Sequence, residues 1–180
     1  MHEINTDSSH NAYWLDEDEK IIKVHAKWDA FAQENDGALA LAKKVLGKPI
    51  WTFVVEDNTR LWLRALLNLA KLCDKVVERA YRCDSPTLKR YMTMIIEPLG
   101  EGKLKVIHRL ERTEPIEPAI PFCYSSDSRL LRLTRCSVCN RIAVNNKWYD
   151  VASKEVRAKM EENKPLMISY SVCGDCTIAE

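Results

Sequence analysis

Four cysteines carry the most specific chemistry in this chain of 180 residues. They stand in two pairs of equal spacing, Cys136 and Cys139 in "RCSVCN" and Cys173 and Cys176 in "VCGDCT", with residues 140–172 between them. A CxxC turn directs two sulfurs to one side, and two such turns supply four soft thiolates. That is the donor set zinc takes in a closed tetrahedral structural site. Redox use is the first alternative, but it normally wants a CxxC that opens a helix, and the first pair here leads into a hairpin-like stretch. Four unconnected thiols are the second, but cysteine is rare enough that two equally spaced pairs seldom arise from composition alone. Structural Zn²⁺ on Cys136, Cys139, Cys173 and Cys176 is therefore expected. Four cysteine ligands leave no open position for water, so hydrolytic zinc chemistry is not. A module of about 50 residues buries too little surface to fold alone, and metal binding coupled to folding supplies ~10–16 kcal/mol of apparent free energy. Of the other cysteines, Cys73 falls on an apolar helix face and is expected to be buried. Cys83 and Cys123 are expected to be packed or solvated thiols.

No other constellation assembles into a catalytic site. Gly100 and Gly102 are the only closely spaced glycines and sit in a turn, so there is no phosphate loop. His2, His10, His25 and His108 are isolated, no G-x-S-x-G occurs, and the acids are scattered. No catalytic residue is assigned, and the chain is read as non-enzymatic. Net charge is +1. Residues 129–180 hold nine Lys/Arg and six Asp/Glu, or +3. Four thiolates on one Zn²⁺ would bring this to about +1, so nucleic acid is not an expected partner. The polar opening "MHEINTDSSHNA" lacks the apolar core of a signal peptide. No apolar run approaches the ~18 residues of a membrane span. A cytoplasmic location is expected, where thiols stay reduced and paired cysteines favour metal.

The elements that must position the cysteines follow from periodicity. In "TEPIEPAIPF", Pro115, Pro118 and Pro121 fix φ and remove backbone donors, so a semi-rigid linker is expected there. The chain divides accordingly into 12–114, a linker at 115–128, and a cysteine module at 129–180. In the first part, "YWLD" and "KIIKVH" alternate as a hairpin around Asp16–Glu19, and "AKWDAFAQEND" has helical spacing ended by Asn35-Asp36-Gly37. The longest helical signal, Asn58–Cys73, has Trp62, Leu66, Leu69 and Cys73 on one face, widened by Leu63, Leu67 and Ala70, with Asn58 or Thr59 as cap. Three strands close the part: "KVVERAYRC", "KRYMTMIIEP" and "LKVIHRLER", the last two joined at "LGEGK". The class is α+β, a five-stranded antiparallel sheet with helices on one face. In the module, a hairpin turns at Asn145-Asn146, Ser153 caps a helix over "SKEVRAKMEENK", and "LMISYSV" is a strand into the second pair. Asn140 suits the left-handed position after the first pair, and Gly174 loosens the turn of the second.

In their order, these elements resemble a PAS domain over roughly residues 12–114. The matching stretches are "IIKVHAKWDAFAQEN", "VLGKPIWTFV" with Gly47, and "YRCDSPTLKRYMTMIIEPL". Glu19 departs from the pattern, since many PAS hairpins have glycine there. The module is similar to a small zinc-ribbon-like cysteine segment found beside PAS domains in bacterial sensor proteins. Its recurring features are present as Cys136, Cys139, Arg141, Trp148, Cys173 and Cys176, with Tyr170 where a histidine often stands. The resemblance implies a sensory or interaction module in bacterial signal transduction, acting through a protein partner or a homodimer. A zinc-ribbon transcriptional adaptor and a thiol redox sensor that releases zinc on oxidation are the alternatives. A PAS cavity would be lined by Trp51, Phe53, Trp62, Tyr91, Met92, Met94 and His108. Core packing of these residues is the preferred reading, and no cavity ligand is assigned. Trp148, Tyr149 and Tyr170 are expected either to pack within the module or to offer it a partner surface.

Overall fold

A computed structural model describes residues 10–34, 40–125, 132–161 and 164–177. The helix stop expected at Asn35-Asp36-Gly37 lies outside the described residues. The order is β1 (His10–Leu15), β2 (Ile21–Val24), α1 (Trp28–Glu34), α2 (Ala42–Val45), a 3₁₀ turn at Ile50–Thr52, and α3 (Asp57–Cys73). Then come β3 (Val77–Arg82), β4 (Leu88–Pro98), β5 (Leu104–Pro115), β6 (Phe122–Tyr124), β7 (Leu133–Cys136), β8 (Ile142–Val144) and β9 (Lys147–Tyr149). The chain closes with α4 (Lys154–Arg157), β10 (Leu166–Ser171) and a 3₁₀ turn at Gly174–Cys176. The fold is α+β. Among the described residues no helix is long and apolar enough to cross a membrane.

By proximity the chain groups into two compact units. One comprises Met1–Val54, Arg64–Ala80 and Met92–Glu111, the other Val55–Leu63, Tyr81–Tyr91 and Arg112–Glu180. The second unit therefore draws on stretches well before residue 115.

A five-stranded sheet, most of whose residues belong to the first unit, runs in the order β2-β1-β5-β4-β3, with β1 antiparallel to both β2 and β5. The first hairpin turns through Glu19, whose φ is 63°. Without glycine's freedom this conformation is costly, but the Glu19 carboxylate accepts from the Trp51 indole N–H at 2.6 Å and the Lys71 ammonium at 3.0 Å. The β4–β5 turn uses positive φ at Gly100, Glu101 and Gly102, as "LGEGK" led us to expect. Alternation along β1 separates Tyr13 and Leu15 from Ala12 and Trp14. Tyr13 meets the Trp28 ring of α1 edge-on at 6.1 Å and stacks on His108 at 5.6 Å. Ala12, Ile95 and Ile107 cluster on the other side.

The buried face of α3 is Leu63, Leu66, Leu67 and Ala70. The expected face was rotated: Leu69 is 45% exposed, and Cys73 is exposed rather than buried. Apolar residues occupy most of the circumference of this helix, so periodicity alone could not choose between adjoining stripes. Asn58 and Thr59 lie inside the helix, which begins at Asp57, and do not cap it.

In the second unit, the sheet order is β6-β10-β7-β8-β9. β10 runs parallel to both β6 and β7, while β7, β8 and β9 are antiparallel. Asn145 and Asn146 turn the β8–β9 hairpin at φ 49° and 62°. Ser153 caps α4 by accepting from the Val156 N–H at 3.3 Å, although α4 ends at Arg157, well short of the expected helix. The proline stretch differs from the stiff spacer expected. Ile116 and Ile120, alternating with its prolines, are fully buried against Val151, and their N–H groups donate to the Thr87 and Pro86 carbonyls at 2.8 Å each. Trp148 packs on the cysteine cluster, while Tyr149 and Tyr170 pack on the core of Ile142, Val144, Val156, Leu166 and Ile168. Asp84, fully enclosed, accepts from the Arg82 guanidinium at 2.5 Å, and Arg82 also reaches Asp150 at 2.8 Å.

Candidate metal centre

Parallel pairing brings the two CxxC pairs together. In the register of β10 on β7, Tyr170 is opposite Arg135 and Ser171 opposite Cys136. Both strands run out at the same end of the sheet, so the knuckle that follows each lies beside the other. The Ser137 N–H donates to the Ser171 carbonyl at 2.8 Å and fastens the first knuckle to the end of β10. The first knuckle folds back on itself. Cys136 donates its N–H to the Arg141 carbonyl at 2.8 Å, and Asn140 donates to the Cys136 carbonyl at 3.0 Å. Asn140 takes the left-handed conformation expected of it, at φ 59°. The second knuckle is a 3₁₀ turn in which Cys176 and Thr177 donate to the Cys173 carbonyl at 2.9 and 3.1 Å. Gly174 is not among the residues with positive φ, so no backbone demand for glycine is seen there.

The four Sγ atoms lie within 4.8 Å of one another. Zinc–sulfur bonds of about 2.3 Å place tetrahedral sulfurs about 3.8 Å apart, and Cys139 Sγ is 3.7 Å from Cys173 Sγ. Cys136 and Cys173 are buried, while Cys139 and Cys176 are partly exposed. Donor type, number and spacing all fit a metal ion such as zinc, and the four cysteines could hold one.

Without an ion the surroundings favour a thiolate at Cys139, while burial and neighbouring sulfurs raise Cys136 and Cys176. The Cys173 N–H points at Cys136 Sγ from 3.4 Å. Arg141 Nε donates to Cys139 Sγ at 3.2 Å, and its Nη2 reaches Cys173 Sγ at 3.6 Å and Asp175 Oδ2 at 2.7 Å. Hydrogen bonding from the Cys136 thiol, then the Arg141 guanidinium, outweighs burial and lowers the Cys139 sulfur. Such outer contacts orient ligand atoms and spread their charge. Arg141 stands two residues after Cys139, which is the one signal the sequence offered. Asp175 gave none.

The aromatic and methionine positions considered for a cavity differ in burial, and Phe53 is exposed rather than packed in the core. Met92 and Met94 are buried core residues. Trp51 donates to Glu19 and lies under Arg64 at 4.5 Å. Tyr91 lies under the Arg112 guanidinium at 3.5 Å and donates its hydroxyl to Glu114 at 2.9 Å. His108 stacks on Tyr13, and burial pushes its imidazole down to about 4. Trp62 packs against Cys136, Val138 and Cys173. Its place at the cysteines was not foreseen, because nothing in the spacing of "NTRLWLR" points 74 residues ahead to Cys136.

No protein family matches the chain by sequence, and no curated protein does. Among solved structures, a domain of an HTR-like protein from Haloarcula marismortui ATCC 43049 covers 58% of this chain and 100% of its own length. The TM-score is 0.42 at 11% sequence identity, an overlap too low to carry any argument further.

Proposed function

We propose that the chain is a PAS-like sensory or protein-interaction module with a structural zinc site at Cys136, Cys139, Cys173 and Cys176. On this reading it acts in bacterial signal transduction, through a partner protein or a second copy of itself, without catalysing a reaction. The observation that carries the reading is the closed set of four sulfurs within 4.8 Å, two of them buried. Zinc held by four thiolates has no vacant position for a substrate, so it serves structure. The PAS-like half is supported by topology. Two opening strands, short helical segments, a long helix and three closing strands follow in order, and the five strands form one sheet in which β1 lies beside β5.

Native mass spectrometry of the purified full chain tests this, since it reports metal, small ligand and oligomeric state together. One zinc per chain is expected, in a homodimer or in complex with a protein captured from native lysate. A metal-free chain, turnover of a substrate, or a strict monomer that captures nothing would overturn the proposal.

A further inference from the structure

Stretches remote in sequence from the cysteines converge on both knuckles. The first is the opening turn of α3. Trp62 lies against Cys136, Val138 and Cys173, and its indole N–H donates to the Cys176 carbonyl at 3.0 Å. The Thr59 and Ser137 hydroxyls share a hydrogen bond of 2.5 Å, and the Asn58 amide donates to the Ser171 hydroxyl at 3.1 Å. The second is the end of β3, where Tyr81 packs on the same cluster and the Arg82 N–H donates to the Val138 carbonyl at 2.7 Å. Ser137 and Val138 are the two residues inside the first CxxC, and Cys176 ends the second. Each knuckle is thus gripped by residues outside the expected module 129–180. All of them belong to the second compact unit.

These contacts fall on the backbone and hydroxyls of the knuckle turns, which must hold their shape for four sulfurs to meet one ion. An element that stabilises the metal-competent arrangement is itself stabilised by metal, by the same factor. We propose that the opening turn of α3, through Trp62, Thr59 and Asn58, is a coupled part of the metal centre, so that metal occupancy sets how firmly residues 57–63 are held. This rests on the reading of the four cysteines as a metal site. The turn opens an uninterrupted 17-residue helix. Gain or loss of the ion is therefore delivered to the start of the longest helix in the described chain.

The experiment uses the full chain, stripped with a chelator and then titrated with zinc. Bound zinc per chain and amide hydrogen exchange are followed together by mass spectrometry. Zinc should slow exchange over residues 57–63 by about 5- to 150-fold, the usual range for coupled sites. Exchange in β1 should stay unchanged. In the converse measurement, Trp62→Phe keeps an aromatic ring but lacks the N–H, and should lower zinc affinity about tenfold or more. Stoichiometric zinc with unchanged exchange at 57–63 overturns the coupling and leaves the metal site standing. Failure to bind zinc overturns both. Should stripping also raise exchange throughout β1, the zinc affinities of Trp62→Phe and Thr59→Val decide. Affinities equal to the parent's overturn the coupling, and losses of about tenfold sustain it.

Discussion

At Cys139 the sulfur receives a guanidinium hydrogen bond from a residue only two positions away, and the same guanidinium extends to Cys173 and Asp175. Arg141 is therefore expected to matter to the metal without ligating it. Arg141→Met should weaken zinc binding by about 10- to 100-fold while stoichiometry at saturation stays at one. Cys136→Ser should abolish stoichiometric zinc. Competition titration with a chromophoric chelator separates the two effects. A second residue-scale case is Glu19, which occupies a left-handed position and offsets the strain with two side-chain bonds. Glu19→Ala keeps the strain and loses both bonds, so it should cost about 1–3 kcal/mol. Glu19→Gly loses the same bonds but relieves about 1–2 kcal/mol of backbone strain. Urea unfolding of the pair should rank Gly above Ala, and the reverse order would refute the account.

Among the elements, α3 makes the sharpest demand on burial. Leu67 is fully buried, whereas Leu72 on the opposite side is 86% exposed. Leu67→Ala should cost about 2–5 kcal/mol and Leu72→Ala less than about 0.5 kcal/mol. Equal losses in thermal or chemical unfolding would mean that the helix is rotated from the position described. The sequence showed that this helix exists, and its length to within a residue. Its apolar residues form more than one continuous stripe, however, and only the neighbours that cover one stripe decide which is core. β7 and β10 show a related limit. Each was legible as a strand-like run beside a cysteine pair, but parallel partners are chosen by distant segments.

On the scale of the whole molecule, the contacts of the four-cysteine cluster are not confined to the last 52 residues. Ile116 and Ile120 form a core cluster with Val151, against which Phe122 of β6 packs, and Trp62 packs on the cluster of Cys136, Val138 and Cys173. A fragment 129–180 has all four cysteines but lacks these supports. It should bind zinc at least about tenfold more weakly than the full chain, since supporting contacts of this kind are worth about 10- to 100-fold in metal affinity. A fragment 112–180 should recover part of the loss. Isothermal titration of the three proteins provides the comparison, and equal affinities would show that the cysteine module is self-sufficient.

What the sequence determined by itself was short in range. The CxxC spacing marked four donors. The left-handed tolerance of asparagine marked Asn140 and the Asn145-Asn146 turn, and the hydroxyl of Ser153 marked a helix start. Each depends on atoms within a few residues of itself, so each survives in the linear record. The tertiary structure decided what depends on burial between remote segments. It set the parallel register that faces one knuckle to the other, turned Cys73 and Leu69 outward, and drew Ile116 and Ile120 of the proline stretch into a core. It also placed Trp62 against a cysteine cluster more than 70 residues away. Apolar surface is non-directional in what it attracts. Which side chains cover one another is therefore settled by the packing of the folded chain, and no local spacing records it.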